Sequence, residues 1–271
     1  MRDPRTTAAM TVAALLLGAA SAVGQTDYRN LDDGRPVHSE DAYPVEHYAF
    51  ELLTGAALEN DAGGLETTIF TPELEYGLVM NGQLGLAVPF ALVRPAGTSG
   101  VGTFGLAGLR VPALYNFNTE SRALPAVALR ADLALAVGAL AGDVGRLTVK
   151  AIATHSWGLT RAHANLAWSF GSESGLTETG AAPRWSASLA ADRTLFRSSL
   201  LLVAEGLMEE QVRGAPTVVT LAAGARWQWS PTAVVDLGLS RRLTSTGPDF
   251  AVTVGVSQAF GARGLLPAGR K

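Results

Sequence analysis

The sequence predicts an all-β protein: a closed, antiparallel, up-and-down transmembrane β-barrel of about twelve strands. Three observations predict it. Apolar side chains recur at every second position in one segment after another, long and short connections alternate along the chain, and the composition is greasy without being helical. Of 271 residues, 48% are hydrophobic and only 17% charged, with 30 Gly and no Cys. A soluble domain carries about 25% charged residues. So apolar a chain is not disordered. The lack of Cys excludes a disulfide scaffold, a Cys-ligated metal site and an acylated lipoprotein anchor. A net charge of -3 argues against a nucleic-acid partner, which would need clustered positive charge.

The elements follow in order. Arg2 and Arg5 precede an apolar run from Ala8 to Leu17 and then a stretch of small residues. Ala20-Ser21-Ala22 fits the small-x-small rule of signal peptidase, so residues 1–22 read as a signal peptide. The run is shorter than the roughly 20 residues of a spanning helix. Residues 23–46 are polar and contain Pro36 and Pro44, which leaves two readings open, a periplasmic lead-in or a plug folded into the barrel. Residues 47–260 form the barrel, with no domain boundary inside it, and 261–271 are a basic, Gly/Pro-containing tail.

The strand signal is a period of two. Phe250, Val252, Val254 and Val256 alternate with Ala251, Thr253, Gly255 and Ser257, and Leu84, Leu86 and Val88 alternate with Gln83, Gly85 and Ala87. Val127, Leu129, Leu133 and Leu135 oppose Arg130 and Asp132, while Leu166, Trp168 and Phe170 oppose His163, Asn165 and Ser169. Such runs predict strands near 47–57, 66–77, 82–93, 103–117, 125–138, 145–156, 160–171, 184–194, 199–209, 217–229, 232–242 and 248–260. Pro112, inside the fourth, removes a ladder donor and predicts a bulge or an edge there.

Connections near 57–65, 94–102, 172–183, 210–216 and 243–247 are long, whereas those near 79–81, 157–159, 195–198 and 230–231 are tight, with 118–124, of middling length, as the exception. Long loops at one end and short turns at the other belong to bacterial outer-membrane barrels. Aromatic rings fall near strand ends, at Tyr48, Tyr115, Phe117, Trp157, Trp168, Phe170, Trp185, Trp227, Trp229 and Phe260, as in a girdle at each bilayer interface. A closed barrel with lipid outside and water inside pairs every backbone group and accounts for a greasy face opposite a partly charged one.

On this register the lumen side holds Glu51, Glu73, Glu75, Arg130, Asp132, Lys150, Arg161, His163, Asp192, Glu205, Arg226, Asp236 and Arg242. Two readings stand side by side. Opposed acids and bases can form a constriction that selects solutes by charge and size. They can equally form a salt-bridged plug that only stabilises the barrel. A barrel of about twelve strands has a bore between a filled eight-strand and an open sixteen-strand barrel, which favours a narrow pathway. His155-Ser156 and His163 admit a serine-hydrolase reading, with Ser156 and His163 sharing the inward parity. The competing reading has His155 at the rim and His163 hydrogen-bonded in the lumen. No metal-ligand spacing, cofactor motif or energy-coupling motif is visible. Asp32-Asp33-Gly34 reads as a solvated turn.

The run Arg35-Pro36-Val37-His38-Ser39-Glu40-Asp41-Ala42-Tyr43-Pro44-Val45-Glu46 resembles the opening of the meta-pathway phenol-degradation, or "transporter", family of outer-membrane β-barrels. So do Thr71–Leu78 with Gly82–Leu86, the segment Ala187–Ala204, and the ending Gly247–Phe250 through Ala259-Phe260, a likeness spanning roughly residues 35–260. It implies an outer-membrane location and the movement of small, aromatic or hydrophobic compounds, and brings no catalytic motif. One departure is the tail after Phe260, where such barrels commonly end on an aromatic residue read by the assembly machinery. The expected function is therefore a non-enzymatic passive channel in the outer membrane of a Gram-negative cell. Its expected partners are lipid, the barrel-assembly machinery and a small solute. A non-conducting structural or sensing barrel, and a lipid-modifying barrel enzyme, are the alternatives.

Overall fold

A computed structural model describes residues 25–61, 64–95, 102–142, 145–171, 183–196, 199–211, 213–244 and 248–261. The expected signal peptide and residues 262–271 of the tail lie outside the described residues. The strands are β1 (Ala49–Asp61), β2 (Leu65–Val79), β3 (Gly82–Ala87), β4 (Phe90–Pro95), β5 (Thr103–Leu106), β6 (Leu109–Asn116) and β7 (Ala126–Leu135). They continue as β8 (Arg146–Trp157), β9 (Thr160–Phe170), β10 (Trp185–Leu195), β11 (Leu200–Glu210), β12 (Val218–Ser230), β13 (Ala233–Arg242) and β14 (Pro248–Gly261).

Every pairing between these strands is antiparallel, and β1 pairs with both β14 and β2, which closes the sheet into a barrel. Two staves are each broken in the middle. β2 pairs with β3 through Glu73–Val79 and with β4 through Leu65–Phe70, so β3 and β4 are one stave interrupted at Val88-Pro89. β3 pairs with β6 and β4 with β5, so β5 and β6 are likewise one stave, interrupted at Ala107-Gly108. Fourteen segments thus make a twelve-strand barrel.

The reason lies in missing donors. Pro72 and Pro89 bring no N–H to neighbouring staves, and the breaks are bridged by Val88 N–H donating to Pro72 O and Ala107 N–H to Pro89 O, both at 2.9 Å. Gly108 takes φ +125°, a region open to glycine. The expected bulge at Pro112 is not where the fourth strand yields. Pro112 stays paired with Asp132 of β7, while on the β3 side the ladder skips Gly85 and Leu86 without a shift of register, and the break in the stave falls earlier. β7 ends at Leu135, below the level of β5, and the turn after it covers β5 with one bond from Leu140 N–H to Leu106 O at 3.0 Å.

Alternation sorts each strand into two faces. In β9, Arg161, His163, Asn165 and Ser169 are buried inside, while Leu166, Trp168 and Phe170 are exposed outside. Leu129, Leu133, Leu189, Leu221, Leu237, Leu239, Val254 and Val256 continue the outer belt around the barrel. A water-soluble surface rarely carries an apolar patch beyond a few hundred Å². A continuous belt is the surface that acyl chains solvate. Among the described residues no helix is long and apolar enough to cross a membrane.

Residues 25–48 run inside this wall. Tyr28, Leu31 and Val37 pack with Ala190, Leu201, Val203, Ala222 and Val234 in one apolar cluster. Ala42 packs with Leu114, Ala126, Ala128 and Ile152 in a second, with Tyr43 alongside.

Candidate functional site

The site is the lumen and the segment that fills it. Inward parity on each strand carries the charged side chains, and the N-terminal segment supplies most of their partners. Arg226 of β12 bonds Asp32 at 2.8 Å, and Arg35 reaches both Asp32 and Asp236 at 3.3 Å. Arg130 of β7 bonds Glu40 at 2.7 Å. Lys150 of β8 contacts Asp33 and lies 3.2 Å from Glu40. Arg161 of β9 holds Asp41 at 3.0 Å and Asp192 at 2.6 Å. Glu205 of β11 accepts from the backbone N–H of His38 at 2.9 Å and of Ser39 at 2.5 Å. Glu51 accepts from the Thr26 hydroxyl at 2.5 Å. Arg242 pairs with Asp249, on the neighbouring strand. Glu75 accepts from the Gln83 amide at 2.6 Å, and Glu73 lies 3.6 Å from Arg130.

Each lumen residue named from the sequence faces inward. Most of them meet a partner on the segment 25–48 rather than across an open bore. That segment, read in part as a solvated turn, is where the expectation needs correcting. Asp32-Asp33-Gly34 does form a turn, with Gly34 at φ +79°, but Asp32 and Asp33 point their carboxylates at Arg226, Lys150 and Arg110 instead of at bulk water. Asp32, Asp33, Arg35, His38, Glu40 and Asp41 were missed as site residues because an irregular polar stretch has no period to assign faces. Arg110 and Arg146 were also missed, although strand parity marks them: Arg110 is in phase with Leu114, and Arg146 with Lys150.

Electrostatics within the plug follow from this crowding. Burial acts to raise Asp33, but Lys150, Arg130 and Arg110 outweigh it and hold its carboxyl well below the usual range. Burial pushes Glu40 and Asp41 up, against Arg130 and Arg161 respectively. For His38, burial acts downward, but the hydrogen bond and charge of Glu205 prevail and raise it to about 9.

Space remains beside the plug. A cavity of about 560 Å³ is bounded by the N-terminal segment from Asn30 to Glu40 and by Glu59, Ile69, Glu73, Pro89, Ala107, Arg110, Ala134, Leu140 and Arg146. It has charged groups on the wall and an apolar side next to the broken staves. A second space, about 450 Å³, opens near Asp27, Arg29, Tyr43, Glu120 and Ser156 at the short-turn end.

The structure does not bring Ser156 and His163 together. Ser156 Oγ donates to Glu120 at 2.9 Å. Both nitrogens of His163 are taken, Nδ1 by Thr154 at 3.0 Å and Nε2 by Asp192 at 2.9 Å, in a fully enclosed position. His155 instead packs edge-on against Trp157 and lies 3.0 Å from Glu120. Among the described residues no cluster of His, Asp and Glu could hold a metal ion.

The aromatic residues divide between the ends. Tyr48, Tyr115, Trp157, Trp227, Trp229 and Phe260 lie toward the short turns, and Trp168 and Trp185 lie opposite one another toward the long loops. Trp227 and Trp229 meet edge-to-face, and Phe260 stacks on Phe50, which stacks on Tyr76. Trp185 donates its indole N–H to Glu210 at 2.5 Å.

No family model matches the chain. No curated protein matches it either. Solved structures do. The COG4313 outer-membrane channel from Pseudomonas putida F1 superposes with a TM-score of 0.62 at 14% identity, covering 85% of this chain and 100% of that one. The KdgM porin, solved in complex with disordered oligogalacturonate, gives 0.53 at 10% identity, covering 78% of this chain and 99% of that one. The NanC porin gives 0.53 at 6% identity, covering 77% and 98%. At these identities the likeness is one of fold, and the fold is that of the outer-membrane β-barrel channels.

Proposed function

We propose that this protein is an outer-membrane channel through which small, apolar or aromatic solutes pass passively. The observation that carries the reading is the cavity of about 560 Å³ held inside a closed, lipid-facing barrel between the plug and the wall. Its volume is in the range of small-molecule sites, roughly 300–1,000 Å³. Its apolar side, at Ile69, Pro89, Ala107 and Leu140, suits a solute with little hydrogen-bonding capacity. The fold of the COG4313 channel and of the two porins supports the channel reading, and the resemblance to the phenol-degradation family supports the aromatic class. In this reading the chain is exported and inserted by the barrel-assembly machinery, with outer-membrane lipid around its belt. The lumen charges set a narrow, mixed-sign pathway. In this reading the protein is not an enzyme, and the engagement of Ser156 and His163 with other partners supports that.

The plug favours a second reading, a barrel that does not conduct and acts through its long loops. The test is the purified full chain in planar bilayers and liposomes. Discrete single-channel currents and swelling in small aromatic solutes support the channel. Silence in both assays, with correctly folded protein, rejects it in favour of the structural barrel.

A further inference from the structure

Among the inward arginines of the wall, one stands apart. Arg110, Arg130, Arg161, Arg226 and Arg242 each have a carboxylate. Arg146, at the start of β8, has neither an ion pair nor a hydrogen bond from its side chain among the described residues. Yet it is only 8% exposed, and its Nε is enclosed with no acceptor. Burying an unpaired guanidinium is costly, because nothing returns the hydration it gives up. The side chain lines the large cavity.

Its neighbours give the vacant partner a shape. Arg146 pairs in register with Ala134 of β7, and Ala134 pairs with Arg110 of β6. Two guanidinium groups therefore flank one small residue on the inner face, their α-carbons about 10 Å apart at ordinary strand spacing. A methyl side chain between them leaves room where a longer one would not. Arg110 is committed to Asp132 and Asp33 on one side, with 33% of its side chain open to the cavity. Asp33, Asp132, Thr148 and Lys150 line the cavity on the plug side of this pair, and Ala107, Ala136 and Leu140 supply apolar lining. Of the acids that line the cavity, Asp132 on the adjacent β7 is taken by Arg110 and Arg130, and Glu59 and Glu209 sit on β1 and β11, strands not adjacent to β8.

We propose that Arg146, assisted by Arg110 across Ala134, binds the carboxylate of a small organic acid whose apolar body lies against Ala107, Ala136 and Leu140. Guanidinium groups take carboxylates in a bidentate fork, which supplies the acceptors Arg146 lacks. The acids elsewhere in the lumen disfavour a second negative charge, so the ligand is a monocarboxylate. This names a solute class for the channel function above and rests on that reading only for how the acid arrives.

The experiment is isothermal titration calorimetry of the full chain in detergent, with benzoate as the probe, benzyl alcohol as its uncharged counterpart and galacturonate as a carboxylate on a polar ring. Heat-modifiable gel mobility establishes folding of each variant. Benzoate is expected to bind the unaltered protein, at least tenfold more weakly to Arg146→Met, and with intermediate affinity to Arg146→Lys. Benzyl alcohol is expected to respond equally to all three. Without ligand, Arg146→Met is expected to melt higher than the parent, and benzoate to raise the parent's Tm but not the variant's. Equal benzoate affinity in parent and Arg146→Met, or none in the parent, overturns the site. Galacturonate binding as tightly as benzoate overturns the apolar-body assignment. Liposome flux separates the two readings: binding without flux defeats the channel and leaves the site, and flux without Arg146-dependent binding does the reverse.

Discussion

Arg226 and Asp32 meet at 2.8 Å, the arginine wholly enclosed at 0% exposure, and in doing so fasten the N-terminal segment to β12. Ser257 completes the junction, donating to Asp32 and accepting from Arg226, both at 3.2 Å. Breaking a buried pair by removing one partner costs about 3–5 kcal/mol, because the other charge is left uncompensated. Asp32→Asn is therefore expected to loosen the plug and raise mean single-channel conductance. Its Tm should fall, and the double variant Asp32→Asn/Arg226→Met should recover part of that loss. An unchanged conductance histogram in Asp32→Asn would show that this pair does not hold the occluding segment.

A close backbone approach seats the same segment from a different direction. Gly224 of β12 and Gly238 of β13 are cross-strand partners, and Pro36 lies directly over them. A β-carbon on Gly224 would stand 2.6 Å from Pro36 Cβ, and one on Gly238 would strike the Pro36 carbonyl. The obstruction is backbone and ring, which cannot swing away as a flexible side chain can. Gly238→Ala is expected to displace residues around Pro36 while the barrel still forms. Limited proteolysis near Arg35 should then cut faster than in the parent, with heat-modifiable migration retained. Equal protection of both proteins would mean that the plug has room to shift within the bore.

These two contacts show what a sequence discloses about such a protein. A period of two assigns faces, so Arg130, Asp132, Asp192, Arg226 and Asp236 are readable as inward from parity alone, and the belt at Leu237 and Leu239 as outward. Strand number follows from counting runs. Parity does not say which inward charge meets which. Arg226 is in register with Asp236 on the next strand, yet bonds Asp32, far away in sequence. That pairing depends on where an aperiodic segment lies in three dimensions. The stave breaks are intermediate: Pro89 was visible in the sequence, but only the neighbouring Pro72 shows why the ladder yields there.

His38 makes plug docking depend on pH in the alkaline direction. Its ring lies 3.4 Å from Glu205, and that contact raises it from the usual 6.5 to about 9. Glu209 and Asp33 add to the shift. A histidine raised on folding contributes fully below its unfolded value, and the contribution is lost as pH climbs through the folded one. The window is therefore about pH 6.5 to 9. Although enclosed by the barrel, the side chain is 52% open to the internal cavity, and screening there keeps the contribution to about 1 kcal/mol. Conductance is expected to rise between pH 7 and 9.5 in the parent and to rise less in His38→Gln. Parallel curves for the two proteins would remove His38 from the account.

The outer belt offers a test of what surrounds the barrel. Leu189 stands near the middle of β10, 71% exposed, with Ser188 and Ala190 turned inward beside it. In water, Leu189→Arg would replace an exposed apolar side chain with a charged one and cost little. In a bilayer the same change places a guanidinium at mid-depth, where it costs about 2–4 kcal/mol. Folding into phospholipid vesicles, followed by urea titration, reads the difference directly. The variant is expected to unfold at lower urea in vesicles, with Phe170→Arg, nearer the long-loop end of β9, affected less because depth sets the penalty. Equal stability of Leu189→Arg and the parent in vesicles would mean that acyl chains do not cover this face.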